Sequence, residues 1–256
     1  MSTRSTAVPV GACLVALALT ACGSTEPAKG GTSGAASTSP STSAAAEPYA
    51  DKSPQEIQQI AYEETRTASF KKVRGQLTAE GKTGSLSLSF DVPDCAGTFS
   101  IQGFGKREIH ATPKVVYAKR DAEALRADLK GTKEQEDVVV ERIADRWIKM
   151  SADLPDAQSV SYGCGLANPW VLLEEETPEM HKGASADVDG QPAITLTYAG
   201  SQGGTVTEYV ATQGRPYLLK RTETGRQPSE ITYYDFETVN QLLPPADSEV
   251  VLDEGL

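Results

Sequence analysis

The sequence is poor in the side chains that most often carry catalytic or metal chemistry. It has only two histidines, His110 and His181, in 256 residues, and neither has a second ligand at a spacing typical of a metal site. The HExxH, GxSxG and P-loop motifs are also absent from the sequence. We therefore expect no catalytic residue, no bound metal and no cofactor, and we do not expect an enzyme.

Positive charge is also scarce. The chain has 24 Lys and Arg against 35 Asp and Glu, which gives a formal net charge of -11. Binding to nucleic acid needs a basic face that releases phosphate counterions, so we exclude nucleic acid as a partner. An acidic domain is also repelled by an anionic membrane surface.

The sequence has no apolar run long enough for a membrane-spanning helix. The run at 7–21 falls short of the roughly 20 residues that a span requires, and it has the layout of a signal peptide. It ends in Leu19-Thr20-Ala21 directly before Cys22, which resembles the bacterial lipobox, whose cysteine takes a diacylglycerol thioether. We predict a signal peptide over 1–21 and lipidation at Cys22, which would anchor the protein to the outer face of the cytoplasmic membrane. The alternative is an ordinary cysteine in an ordinary secretory signal.

A low-complexity segment follows the anchor. Residues 22–50 are mostly Ser, Thr, Ala, Gly and Pro without apolar periodicity. Such a segment cannot bury enough apolar surface to offset its chain entropy, so we expect a disordered linker. The remaining residues, 51–256, are enough for one domain with its own core.

The domain shows helical and strand patterns in separate stretches. Ser53 and Glu56 form a capping box around Pro54, which predicts a helix. The stretch "SLSLSFDV" alternates as a half-buried strand does. A second helical section follows Asp121, and turn signals about a dozen residues apart predict a strand meander from Asp187. Strands at both ends of the domain, with helices between them, favour an α+β fold with an antiparallel sheet.

The order of these elements resembles a known family. The segments "RWIKMS", "VDGQPAITL", "EYVATQGRPYLLKR" and "ITYYDFETVNQLLPPADSEVV" are similar to those of actinobacterial lipoproteins in the LolA/LppX/LprG superfamily, over about 51–252. The resemblance implies a strongly curved antiparallel β-sheet, a half-barrel, whose concave face is covered by helices. It also implies an apolar cavity between sheet and helices, which in characterised relatives holds acyl chains.

Together with the predicted anchor and the lack of a catalytic residue set, this resemblance leads us to expect a membrane-anchored, non-catalytic monomer that binds a hydrophobic, acylated ligand, either a lipid or a lipoprotein. The alternative is a partner-binding envelope sensor or accessory factor of the same fold. An apolar cavity would favour a lipid ligand, whereas a filled core with an exposed apolar groove would favour a protein partner. The expected lining residues are Leu86, Leu88, Phe90, Phe99 and Ile101.

The four cysteines can be assigned under the lipoprotein interpretation. Cys13 leaves with the signal peptide and Cys22 is acylated, which leaves Cys95 and Cys164 in an oxidising compartment. A disulfide between them is expected. Two buried free thiols are the alternative, and a redox pair would more often have Cys-x-x-Cys spacing.

Overall fold

A computed structural model describes residues 49–166, 179–200 and 203–252. The predicted signal peptide 1–21, the predicted lipidation residue Cys22 and nearly all of the predicted linker 22–50 lie outside the described residues. Residues 46–256 form one compact unit.

The described helices begin where the sequence offers side-chain caps. Ser53 and Glu56 cap the first helix reciprocally, and Thr132 and Gln135 do the same for the third. The carboxylate of Asp121 accepts a hydrogen bond from the second helix at 2.7 Å. These bonds satisfy N–H groups that have no partner within the helix. The helices are α1 (Pro54–Thr67), α2 (Ala122–Asp128), α3 (Lys133–Ile143) and α4 (Pro155–Leu166).

The described strands form one open, twelve-stranded sheet. They are β1 (Phe70–Ala79), β2 (Lys82–Asp91), β3 (Asp94–Ile101), β4 (Lys106–Ala111), β5 (Val115–Arg120), β6 (Trp147–Ser151), β7 (Met180–Val188), β8 (Gln191–Ala199), β9 (Thr205–Ala211), β10 (Leu218–Glu223), β11 (Ser229–Tyr234) and β12 (Val250–Leu252). Their order is β12-β6-β5-β4-β3-β2-β1-β11-β10-β9-β8-β7. The neighbours pair antiparallel except β12 and β6, which are parallel.

All four of these helices pack on one face of the sheet. On β2, Leu86 and Leu88 point into the core while Ser85 and Ser87 are exposed, as the period of two requires. A single core joins this face to every helix, through residues that include Ile57, Leu125, Ile143 and Val160. The predicted fold class, a curved antiparallel sheet with helices on its concave face, is confirmed.

Two hairpins turn through residues with positive φ. Glu80 and Gly81 join β1 to β2 with φ of 52° and 76°, and Asp189 and Gly190 join β7 to β8 with φ of 52° and 85°. Two-residue turns of this kind match the twist of the strands that they connect. The amide of Gly190 also donates to the Asp187 carboxylate at 2.7 Å, which holds the second turn.

The sheet extends further than the sequence predicts. The meander was expected to start at Asp187, but it starts at Met180 with β7. Most side chains of β7 are exposed, and this strand pairs only with β8 at the edge of the sheet. Because neither face of β7 is buried along its length, its sequence lacks the alternation of apolar and polar residues that identifies a strand.

Candidate functional site

A cleft of about 480 Å³ lies between the sheet and two of its helices. One wall is formed by β3, β4 and β5, and α4 packs on all three strands while α2 packs on β4 and β5. The volume falls in the range of about 300–1,000 Å³ that is usual for small-molecule sites. The cleft is lined by Phe99, Ile101, Phe104, Arg107, Arg120, Asp128, Leu129, Asp156, Ser159 and Val160.

A tight turn between β3 and β4 places α2 over the strands. Gly105 has φ of 68°, and a Cβ at this position would lie 2.2 Å from a carboxylate oxygen of Asp121. Only glycine allows the turn to approach the start of α2 so closely. The same Asp121 caps α2 and accepts a hydrogen bond from the amide of Lys106 at 2.8 Å, which joins the helix to β4.

The apolar part of the cleft is centred on Phe99. A Cβ at Gly163 of α4 would lie 2.9 Å from the Phe99 ring, so the absence of a side chain lets helix and ring meet. Val160, one turn earlier on α4, is buried against the same core. Phe104 is 37% exposed, and the ammonium group of Lys82 lies 3.8 Å from the centre of its ring. These side chains give the cleft an apolar surface that an alkyl chain could cover.

The two cysteines left over by the sequence assignment are bonded. Cys95 of β3 and Cys164 of α4 form a disulfide, with Cα atoms 6.3 Å apart. The prediction of this bond is confirmed. The bond joins the strand that carries Phe99 to the helix that carries Val160, so it holds two walls of the cleft together.

The polar part of the cleft is a pair of arginines that share one carboxylate. Arg107 donates one hydrogen bond to the backbone carbonyl of Phe104 at 2.7 Å and another to the carboxylate of Asp128 at 2.6 Å. Arg120 donates to the other carboxylate oxygen of Asp128 at 3.2 Å. The side chains of Arg107 and Arg120 are only 10% and 15% exposed. The cleft thus combines apolar walls with a cationic group.

The structure separates the five expected lining residues. Phe99 and Ile101 line the cleft, whereas Leu86 and Leu88 are 6% and 2% exposed within the core. Phe90 lies partly buried against the same core, with the ammonium group of Lys71 5.1 Å from the centre of its ring. The alternation of β2 and β3 identifies the inward face, and α4 packs on the β3 part of that face, where Phe99 and Ile101 line the cleft.

No protein-family model and no curated protein matches the chain. Solved structures resemble its fold. LppX from Mycobacterium tuberculosis is 12% identical, with 73% of this chain and 97% of LppX covered and a TM-score of 0.46. LprF from Mycobacterium bovis is 12% identical, with 75% and 97% covered and a TM-score of 0.43. A LolA superfamily protein from Nitrosomonas europaea is 12% identical, with 75% and 96% covered and a TM-score of 0.24.

A second polar cluster, the Glu208 cluster, lies under α1 and was not anticipated from the sequence. Glu208 is fully buried and accepts hydrogen bonds from the hydroxyls of Tyr62 and Tyr198 and from the amide of Gln58. Arg221 approaches it to 3.9 Å. Burial raises the pKa of Glu208, and the hydrogen bonds that it accepts oppose that rise. The carboxylate oxygens of Glu208 are thus satisfied by side chains of the protein itself. These hydrogen bonds join α1 to β8 and β9.

Lys71 is another buried ionisable group on the inner face. It is 4% exposed, and burial lowers its pKa to about 8. The carboxylate of Glu237 opposes the shift but does not cancel it. Lys71 therefore carries its charge at neutral pH in surroundings that disfavour that charge.

Two other concave surfaces are formed by the described residues. One, of about 740 Å³, lies at the ends of β1, β2, β10 and β11 and is lined mainly by polar residues such as Thr83, Ser85 and Gln102. Another, of about 460 Å³, includes the rings of Tyr217 and Phe236, which are stacked with centres 3.9 Å apart.

Within the described part of the chain, no three His, Cys, Asp or Glu side chains come together as metal ligands, and no helix is long and apolar enough to cross a membrane.

Proposed function

We propose that this protein is a membrane-anchored extracytoplasmic lipoprotein that binds a hydrophobic, acylated ligand without catalysing a reaction. The observation that carries the proposal is the cleft between β3–β5 and the helices α2 and α4, with its wall of apolar side chains. The cleft lies between sheet and helices, which is the position that the family resemblance leads us to expect for an acyl-binding cavity.

The energy of binding would come from burial of the alkyl chain. Each methylene removed from water contributes about 0.8 kcal/mol, so a chain that covers Phe99, Ile101 and Val160 needs no covalent bond to be retained. The proposed role accordingly uses no acid, base or nucleophile. Release would require only a competing apolar environment, such as a membrane or a second carrier.

The proposed anchor explains how such a ligand could reach the domain. An acyl group on Cys22 and a linker over 22–50 would keep the domain beside the bilayer while leaving it free to turn. A flexible chain of this length has a typical span of about 30 Å. The domain could therefore meet lipids at the membrane and hand them to a component at some distance.

The test is ligand uptake by residues 46–256, which form a compact unit of their own. The unit is incubated with vesicles that contain labelled lipids, and bound lipid is measured by native mass spectrometry. Ser159 lines the cleft, and Gln158 next to it is exposed outside the lining. We expect Ser159→Trp to lower uptake severalfold because its indole fills the cleft, while Gln158→Trp retains it.

Circular dichroism and thermal unfolding would show that both variants are folded. Uptake that is absent from the wild-type unit, or equal in the two variants, would overturn the proposal. Wild-type failure would favour the partner-binding alternative.

A further inference from the structure

Arg107 and Arg120 lie directly opposite each other on neighbouring strands. They are Cα partners in the register of β4 and β5, and both occupy inward positions, in phase with Ile109 and Ala118. Like charges in this arrangement destabilise a sheet. A pair of this kind on the inner face, in a chain with a net charge of -11, therefore requires a compensating interaction.

Asp128 supplies only half of the compensation. One of its oxygens accepts from Arg107 and the other from Arg120, so one negative charge is shared by two positive ones. Asp156 also lines the cleft, so the lining as a whole has two arginines and two aspartates, but the ion pairs of the two arginines are both with Asp128. The guanidinium groups carry more N–H donors than Asp128 can accept.

The guanidinium groups lie beside the apolar wall. The guanidinium carbon of Arg107 is 5.8 Å from the centre of the Phe99 ring, and both residues line the cleft. An anion bound here would be partly removed from water, where hydrogen bonds to charged groups are stronger than at the surface. A ligand with an alkyl chain and one anionic end could contact both parts of the cleft at once.

We infer that the ligand of this cleft carries an anionic end group, a carboxylate or a phosphate, which binds the guanidinium groups of Arg107 and Arg120. Its acyl chain lies against Phe99 and the other apolar residues. The inference rests on the proposed function and adds the polar half of the ligand to it. The end group shares the two arginines with Asp128, so Asp128 acts as a competitor that lowers affinity for the anion.

The first experiment compares two ligands with the same alkyl chain. Binding of dodecanoic acid and of dodecanol to residues 46–256 is measured by titration calorimetry, with inorganic phosphate as the anion without a chain. We expect the acid to bind about tenfold more tightly than the alcohol, which is the factor given by one added charge-assisted interaction of about 1.4 kcal/mol. Phosphate alone should bind far more weakly than the acid.

The second experiment changes the charges one at a time. Arg120→Gln should remove the preference for the acid, whereas Arg126→Gln should retain it because Arg126 pairs with Asp137 at the surface outside the cleft. Asp128→Asn should increase the preference severalfold, because it frees both arginines. A purely structural role of Asp128 would not produce this increase, and the measurement stands even if Arg120→Gln does not fold.

The outcomes separate the inference from the proposed function. If neither acid nor alcohol binds, the proposed function is wrong and the inference is wrong with it. If both bind equally, with no effect of Asp128→Asn, the inference is overturned while the proposed function stands. If phosphate binds as well as the acid, the site recognises a free anion and the inference is again overturned.

Discussion

At the scale of single residues, Lys71 couples the stability of the fold to pH. Burial lowers its pKa from the ordinary 10.5 to about 8, so between these values the unfolded chain binds more protons than the folded chain. The free energy of unfolding therefore increases as pH rises across this window, because the buried Lys71 loses its charge. This gain in stability is lost again as pH falls to about 8. We expect Lys71→Met to raise stability at pH 7 and to lose most of that advantage near pH 10.5.

The measurement is denaturant unfolding of wild type and variant at both pH values, compared as a difference so that other titrating groups cancel. Lys72, the next residue along the strand, is the matched control. Its side chain lies on the other face of the sheet, where the ammonium group pairs with Asp235 and this pairing raises the pKa of Lys72. Lys72→Met should not reproduce the pH-dependent gain. A constant difference between wild type and Lys71→Met would contradict the prediction.

Single residues also show what the sequence could not predict. Phe99 and Ile101 line the cleft beside α4, whereas Leu86 and Leu88 are buried in the core, and the alternation of the strands does not separate the two pairs. The burial of Glu208 did have a sequence signal, since it alternates in phase with Val206 and Val210 on β9. What the sequence does not contain is the convergence of Tyr62 and Tyr198 on its carboxylate, which depends on where α1 packs.

At the scale of elements, the attachment of α4 to β3 should contribute strongly to stability. The disulfide between Cys95 and Cys164 closes a loop with a sequence separation of 69, for which the chain-entropy model gives about 4 kcal/mol. We expect replacement of both cysteines by serine to lower the free energy of unfolding by an amount of this order. Denaturant unfolding of oxidised wild type and the double variant measures it.

Reduced wild-type protein is the matched control and should resemble the double variant. If the double variant unfolds at the same denaturant concentration as oxidised wild type, the bond contributes nothing and the prediction is wrong.

Elements with a local signal were predictable, and those that depend on distant partners were not. The capping box of Ser53 and the cap of Asp121 identified two helix starts, and alternation identified β2. The edge strand β7 and the short β12 were not predicted. β12 is three residues long and pairs with β6 across about a hundred residues of sequence, so no periodicity in its own residues could indicate the partner.

At the scale of the whole molecule, the proposed lipid anchor is testable independently of the cleft. We expect Cys22→Ala to leave the full chain unlipidated and poorly processed, because the acyl group is attached through the cysteine sulfur. Detergent-phase partitioning and intact mass of wild type and variant from the native host measure this. A wild-type mass with no addition to the peptide would contradict the lipobox interpretation.

The disulfide has one more consequence, for the way in which the molecule responds to proteolysis. All residues that line the cleft lie between Cys95 and Cys164 in the sequence, so one covalent ring encloses the whole lining. A protease that cuts once at the exposed Lys130, between α2 and α3, would open the backbone without separating its two halves. The nicked protein should migrate as one band without reductant and as two bands with it, and the nicked chain should still present both walls of the cleft to a ligand.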